Sequence, residues 1–207
     1  MIKNGEIILF QGDSITESGR NEKVNDLGFG YPALIAAWLS TKYPEKDIRF
    51  INRGISGDRI RDLKKRWQKD CVDLKPTLVS ILIGINDTWN RYNNNDPTSL
   101  ESFESDYRYI IERTRNNLDA NIIVCEPFLI SIDENKTKWR EDLDPKIQIV
   151  RKLSREYHVF YLPLDGIMAQ ACTIREQQFW TTDGIHPTLA GHALIAKKWL
   201  EFLDFLR

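Results

Sequence analysis

Four short segments of the sequence carry the residue types that acyl transfer from an ester needs. They are Gly12-Asp13-Ser14, Asn52-Arg53-Gly54, Gly84-Ile85-Asn86-Asp87 and Asp183-Gly184-Ile185-His186. The first supplies a hydroxyl, the second a glycine backbone N–H, the third a side-chain amide, and the fourth an imidazole with a carboxylate. A serine hydroxyl becomes a good nucleophile only when a neighbouring base takes its proton. The set therefore predicts a hydrolytic site that works through Ser14.

His186 is the predicted base, and Asp183 is the acid predicted to orient it. In a turn, residues three apart can face each other, so the Asp183 carboxylate can accept a hydrogen bond from His186 Nδ1. That bond leaves Nε2 to take the Ser14 proton, and it stabilises the imidazolium that forms. The other two histidines, His158 and His192, are predicted to be structural or solvated.

Three donors are predicted for the oxyanion of the tetrahedral intermediate. They are the backbone N–H groups of Ser14 and Gly54 and the side-chain amide of Asn86. Such donors must already point at the developing charge, and the loss of one typically raises the barrier by ~2.7–4 kcal/mol. Glycine at position 54 also permits a close approach of the backbone.

Three further residues are expected to contact the substrate. Asp13 precedes the predicted nucleophile, and Trp89 and Tyr92 follow the Asn86 segment. The two aromatic rings suit a wall for a sugar or a short acyl group, and ordinary packing remains the alternative for both.

The elements that must position these residues alternate along the chain. Apolar runs predict strands at residues 7–10, 48–51, 78–83, 122–125 and 159–162, and amphipathic patterns predict helices at 31–43, 58–74, 99–118, 142–157 and 188–205. Residues 93–97 are predicted to form a polar loop. This alternation implies one domain, residues 1–207, with a parallel sheet covered on both faces. Ser14, Gly54 and Asn86 each follow a strand, so all three are expected at the carboxyl edge of the sheet, where ligands bind.

Composition and charge argue against several other classes of protein. The 29 basic and 30 acidic residues nearly balance, which gives no reason to expect nucleic acid or an anionic membrane as partner. No run approaches the ~20 apolar residues of a membrane span, and no signal peptide is recognised at the N-terminus. Cys71, Cys125 and Cys172 have no metal-like spacing and are expected to be free thiols. We therefore expect a cytoplasmic protein.

No cofactor or metal is predicted. Residues 28–33 match the pattern G-x-G-x-x-A, but they do not directly follow a strand, so a dinucleotide site is not expected. Asp183, His186 and His192 have a spacing that matches no familiar metal site.

The four segments together resemble the blocks of the SGNH hydrolases, also called the GDSL family, which is named for a serine, a glycine, an asparagine and a histidine. The resemblance places these at Ser14, Gly54, Asn86 and His186, with Asp183 as the acid of the triad. It runs from Phe10 to the last helix, although the first block reads Gly-Asp-Ser-Ile instead of Gly-Asp-Ser-Leu. It implies an α/β fold, a flavodoxin-like three-layer α/β/α sandwich with a five-stranded parallel sheet.

Residues 10–16, 52–57, 61–63 and 83–89 resemble more narrowly the bacterial intracellular acetylxylan esterases. This resemblance implies a serine esterase that removes acetyl groups from small carbohydrate esters, such as acetylated xylo-oligosaccharides, through an acyl-enzyme. Some members form homo-oligomers, so a homo-oligomer is within expectation. The alternatives are a short-chain acyl thioesterase or lysophospholipase of the same family and, from another class, a catalytically idle carbohydrate-binding relative.

Overall fold

The computed structural model describes residues 2–21 and 24–205. Its strands are β1 (Ile7–Gly12), β2 (Arg49–Gly54), β3 (Leu78–Leu82), β4 (Asn121–Cys125) and β5 (Phe160–Leu162). Its α-helices are α1 (Ser14–Glu17), α2 (Tyr31–Lys42), α3 (Ile60–Asp70), α4 (Ile85–Asn94), α5 (Leu100–Asn117), α6 (Glu134–Lys138), α7 (Arg140–Glu156), α8 (Leu164–Cys172), α9 (Gln177–Trp180) and α10 (Leu189–Phe205). None of the helices described here has both the length and the apolar character needed to cross a membrane.

The five strands form one parallel sheet in the order β2-β1-β3-β4-β5. This is the strand order of flavodoxin-like folds. Gly12 at the end of β1 pairs with Gly54 on one side and with Leu82 on the other. Strands β1, β2 and β3 lead into the Ser14, Gly54 and Asn86 segments, and they therefore end at the same level of the sheet. The predicted α/β sandwich with five parallel strands is confirmed.

Helices cover both faces of the sheet because alternate strand residues point to opposite sides. Phe10 packs in one apolar core with residues of α2 and α10, whereas Leu9 packs in the other with residues of α3 and α5. Helix α7 contributes to both, through Ile147 on one side and Val150 on the other. The two cores hold the sheet between them, and the site segments emerge at its carboxyl edge.

Two predicted boundaries differ from the structure. Residues 93–97 are not all loop, because α4 continues to Asn94 and is capped by Asn95, whose φ is +49°. The Asn93 side chain donates to the Trp89 carbonyl oxygen at 3.1 Å. The helix predicted at 58–74 breaks at Cys71 into α3 and a short 3₁₀ turn.

The three cysteines are free thiols. Burial raises the pKa of Cys71 and of Cys125 to about 12. Both are therefore protonated at neutral pH, and a buried protonated thiol is a poor nucleophile.

The buried indole of Trp199 joins α10, the helix that follows the His186 segment, to β3. Its Nε1 donates to Ser80 Oγ at 3.1 Å, and both residues are fully buried. We expect Trp199→Phe to lower the free energy of unfolding by roughly 2–4 kcal/mol, because it removes volume and deprives the buried hydroxyl of its donor. Urea denaturation measures this change.

Trp38→Phe is the matched control, since Trp38 is 59% exposed. It should shift the free energy of unfolding by less than about 0.5 kcal/mol. Equal effects of the two substitutions would contradict the role given to Trp199.

Candidate active site

Ser14 is the first residue of α1, directly beyond the end of β1. The helix is capped by Asp13, whose Oδ1 accepts a hydrogen bond from Ile15 N at 3.0 Å. The turn is tight because Gly12 has no side chain: a Cβ there would lie 2.5 Å from the Leu82 carbonyl oxygen. As the first helical residue, Ser14 has a backbone N–H that no carbonyl within the helix can accept. Ser14 thus combines a hydroxyl and a backbone donor at the sheet edge.

Asp183 and His186 lie in the turn between α9 and α10. Asp183 Oδ1 accepts hydrogen bonds from Ile185 N at 3.0 Å and from His186 N at 2.8 Å, which closes the turn. Gly184 adopts a φ of +87°, a conformation that favours glycine. Its carbonyl oxygen accepts a hydrogen bond from Ile130 N at 2.8 Å. The turn is therefore fixed internally and is also held to the segment that follows β4.

The structure brings Ser14, His186 and Asp183 into one hydrogen-bonded chain. Ser14 Oγ is 3.1 Å from His186 Nε2, and His186 Nδ1 is 2.7 Å from Asp183 Oδ2. Partial burial raises the pKa of Asp183, but hydrogen bonds from the N–H groups of His186 and Ile185 lower it by more, so the net shift is downward. The ionised carboxylate holds the imidazole proton on Nδ1, which leaves Nε2 to accept from the Ser14 hydroxyl.

The backbone donor predicted at Gly54 is already engaged. Its N–H donates to Asn52 Oδ1 at 2.8 Å, and a Cβ at this position would lie 2.3 Å from Glu17 N. Asn52 is fully buried, and its Nδ2 donates to the carbonyl oxygens of Thr16 and Leu27. Because Asn52 is held at both ends, Gly54 serves the close approach of β2 to α1 and presents no free N–H.

A second glycine in the same segment, Gly57, was missed by the sequence analysis. It is exposed in a turn closed by a hydrogen bond from Asp58 N to the Ile55 carbonyl oxygen at 3.2 Å, and its φ is +83°. Within residues 2–21 and 24–205, no group accepts a hydrogen bond from its N–H. The sequence signal is the pair of glycines in residues 52–57, but the sequence does not tell which of the two N–H groups is occupied.

Asn86 is the second residue of α4, and its amide is oriented by the same turn. Its Nδ2 donates to the Asp58 carbonyl oxygen at 3.0 Å. An amide NH₂ group carries two donors, so this bond fixes the amide plane and leaves the second N–H for another acceptor. A fixed donor with one free N–H is what oxyanion stabilisation requires.

Asp13 lies beneath the site, and its side chain is fully buried. Burial raises its pKa to about 7, and the nearby carboxylates of Asp58 and Asp87 add to the rise. Burial also raises the pKa of Asp87 to about 6. A buried side chain offers no surface to a ligand, so the placement of Asp13 supports a structural role and not the substrate contact expected from the sequence.

Trp89 and Tyr92 both pack against the buried ring of Trp139. Tyr92 stacks on it with a centroid distance of 5.4 Å, and Trp89 meets it edge-on at 5.5 Å. The Lys136 ammonium lies 3.5 Å from the Trp139 centroid and 4.9 Å from that of Trp89. Both rings remain partly exposed, so packing accounts for only part of the surface of each side chain.

His192, on α10, is a neutral neighbour of the site. Its Nδ1 accepts a hydrogen bond from Tyr31 N at 3.2 Å, so the ring proton resides on Nε2, which lies 3.4 Å from Ser18 Oγ. Burial, with a smaller contribution from the charge of His186, lowers the pKa of His192 to about 4. It is a structural histidine, which is one of the two alternatives predicted from the sequence.

The chain is similar to known proteins both in sequence and in fold. The model of the GDSL-like lipase/acylhydrolase family matches residues 10–194. The acetylxylan esterase of Geobacillus stearothermophilus is 33% identical over an alignment that covers 99% of this chain and 96% of that protein. A protein assigned as a GDSL-like lipase from Parabacteroides merdae superposes with a TM-score of 0.92 at 33% identity, covering 98% of this chain and 97% of its own.

A solved variant of the Geobacillus acetylxylan esterase superposes with a TM-score of 0.90 at 32% identity, covering 99% of this chain and 97% of the other. The chain therefore belongs to the GDSL-like lipase/acylhydrolase family and has the SGNH hydrolase fold. It is a carboxylic ester hydrolase.

The lowered pKa of His192 predicts a pH-dependent contribution to stability. Between pH ~6.5 and ~4 the unfolded chain binds a proton at this residue and the folded chain does not, so stability falls as the pH decreases through this window. His192→Asn removes the titration and keeps an acceptor for Tyr31 N. We expect the loss of unfolding free energy between about pH 7 and pH 4 to be smaller in the variant by ~3 kcal/mol.

Urea denaturation of both proteins across this pH range measures the difference. Parallel curves, with one constant offset at every pH, would contradict a folded His192 that stays neutral.

Proposed function

We propose that this protein is a serine esterase that removes acetyl groups from small carbohydrate esters, such as acetylated xylo-oligosaccharides. The observation that carries the proposal is the 3.1 Å contact between Ser14 Oγ and His186 Nε2, with His186 Nδ1 held by Asp183 at 2.7 Å. A hydroxyl paired with an imidazole of fixed tautomer is the arrangement that activates a serine for attack on an ester.

In the acylation step, His186 takes the Ser14 proton as Oγ attacks the ester carbonyl. The oxyanion of the tetrahedral intermediate accepts hydrogen bonds from Ser14 N–H and from the free N–H of Asn86. Gly57 N–H replaces Gly54 N–H as the third donor in this proposal, because the latter is occupied by Asn52. His186 then protonates the departing alcohol, and the acetyl group remains on Ser14.

In the deacylation step, His186 takes a proton from water, and the resulting hydroxide attacks the acetyl carbonyl. The same donors hold the second oxyanion, the Ser14 oxygen leaves with the proton returned by His186, and acetate is released. Asp183 keeps the imidazole in the required tautomer and stabilises its charged form throughout. Both His186 and Asp183 are partly exposed, with side-chain fractions of 44% and 39%, so water has access.

The relatives support these roles and the substrate class. Catalytic mutants of the Geobacillus acetylxylan esterase replace a serine, an aspartate or a histidine with alanine. In that enzyme the aspartate and histidine are three residues apart, as are Asp183 and His186. The partly exposed rings of Trp89 and Tyr92 provide a surface on which a sugar can stack.

Substitution of the nucleophile tests the function directly. We expect Ser14→Ala to reduce the turnover of 4-nitrophenyl acetate by about 10³-fold or more, since it removes the hydroxyl that is paired with His186 Nε2. A serine-directed phosphonate should label Ser14, as determined by mass spectrometry of peptides.

Ser102→Ala, an exposed serine on α5, is the control and should retain full activity. Substantial activity in Ser14→Ala, or a label on another residue, would refute the assignment. A folded wild-type protein without esterase activity would favour the idle carbohydrate-binding relative.

A series of acyl chain lengths separates acetyl esters from lipid or thioester substrates. We expect kcat/KM to fall steeply beyond roughly two to four carbons, because a pocket that fits an acetyl group would clash with a longer chain. A lipid groove would instead gain ~0.8 kcal/mol of binding for each buried methylene. Steady-state kinetics with 4-nitrophenyl esters from acetate to octanoate make the distinction. A rise in kcat/KM through octanoate would favour the lysophospholipase or thioesterase alternative.

A further inference from the structure

We propose that Arg66 is a positioning residue that holds the oxyanion donors in place, by joining the end of β1 to the turn that carries Gly57. This inference rests on the proposed function, since it concerns the donors that would receive the oxyanion. Arg66 contacts neither Ser14 nor His186, and it acts through the backbone of its neighbours. Nothing in the motif pattern of the sequence distinguishes it from the other basic residues of α3.

The guanidinium of Arg66 binds Asp70 on its own helix, with Nη1 3.3 Å from Oδ2, and three groups around the carboxyl end of β1. Its Nε donates to Asp58 Oδ2 at 2.7 Å, and its Nη1 donates to Gln11 Oε1 at 2.8 Å. Its Nη2 donates to the Gly12 carbonyl oxygen at 3.3 Å. The side chains of Arg66 and Asp58 are each only 14% exposed. A planar fork with several donors can meet partners in these different directions at once, which an ammonium group cannot do with the same geometry.

Two of these partners, the Gly12 carbonyl and Asp58, lead to the proposed oxyanion donors. The Gly12 carbonyl oxygen also accepts a hydrogen bond from Ile55 N at 3.1 Å, which fixes the start of the turn that contains Gly57. Asp58 closes the turn, and its carbonyl oxygen accepts Asn86 Nδ2 at 3.0 Å. The position of the Gly57 N–H and the plane of the Asn86 amide therefore both depend on where Asp58 is held.

The charge on Asp58 makes this dependence strong. Burial raises the pKa of Asp58, and the hydrogen bond and the charge of Arg66 offset only part of this rise, so the ionised carboxylate relies on this partner. Removing one member of a largely buried ion pair leaves the other desolvated without compensation. Without Arg66, Asp58 is expected to turn toward water and to move the carbonyl that orients Asn86.

Kinetics of Arg66→Met and Arg66→Lys test the proposal. Misplacement of donors by about 1 Å typically reduces the rate by about 100-fold. We therefore expect kcat for 4-nitrophenyl acetate to fall about 100-fold in Arg66→Met and about 10-fold in Arg66→Lys, with KM changed by less than about threefold in both. The rate of Ser14 phosphonylation should fall in parallel with kcat/KM, because the phosphonyl oxygen occupies the same donors.

Arg108→Met is the matched control, because Arg108 also lies in a helix and binds several acceptors. It bridges Glu104 of α5 and Glu156 of α7, neither of which belongs to a site segment. Its removal should reduce stability and leave kcat within about twofold. Asp58→Asn keeps an acceptor for Arg66 and removes only the charge, so its kcat should fall less than that of Arg66→Met. The double variant should be no slower than Arg66→Met alone, since both changes break one interaction.

The outcomes separate this proposal from the proposed function. If wild-type protein hydrolyses the ester through Ser14 but folded Arg66→Met or Arg66→Lys retains full kcat, the positioning role is wrong and the function stands. Equal losses in Arg66→Met and Arg108→Met would also overturn it, since they would reflect stability alone. If Arg66→Met does not fold, Arg66→Lys and Asp58→Asn decide the question by the same criteria. If wild-type protein shows no Ser14-dependent hydrolysis, it is the proposed function that fails.

Discussion

Helix α1 and strand β3 lie so close to the ends of β1 and β2 that neither strand end has room for a side-chain carbon. A Cβ on Gly12 would lie 2.5 Å from the Leu82 carbonyl oxygen, and one on Gly54 would lie 2.3 Å from Glu17 N. This close approach allows the chain to turn directly from β1 into α1. The Ser14–His186 contact depends on it, because a wider turn would carry the hydroxyl away from the imidazole.

The distribution of charge in the site follows from burial and from the partners available. Asp183 is partly exposed, receives hydrogen bonds from His186, and has a lowered pKa. Beneath the surface, burial raises the pKa of Asp13 to about 7 and lowers that of His192 to about 4. The charged form is therefore favoured at Asp183, beside His186, and it is disfavoured in the buried layer beneath Ser14.

Much of the fold could be predicted because buried strands have a strong signal. The short apolar runs identified all five strands, and their alternation with helices implied a parallel sheet. Helix α4 was missed because its sequence is largely polar, and among its residues only Ile85, Asp87 and Thr88 are buried. Its stability comes from tertiary contacts, such as the hydrogen bond from Thr88 Oγ1 to Asp142 Oδ2 at 2.7 Å, which no local pattern reveals.

The sequence by itself determined the residue types of the site and their order, since Ser14, Asn86 and His186 lie in short segments whose local geometry follows from their own residues. The spacing of Asp183 and His186 was enough to predict their hydrogen bond, because both belong to one turn. Only the tertiary structure decided which glycine N–H remains free and what holds the Asn86 amide. The physical reason is that these properties depend on hydrogen bonds to side chains and carbonyls distant in the chain. Arg66 shows this, because its partner Gln11 is 55 residues away in the sequence.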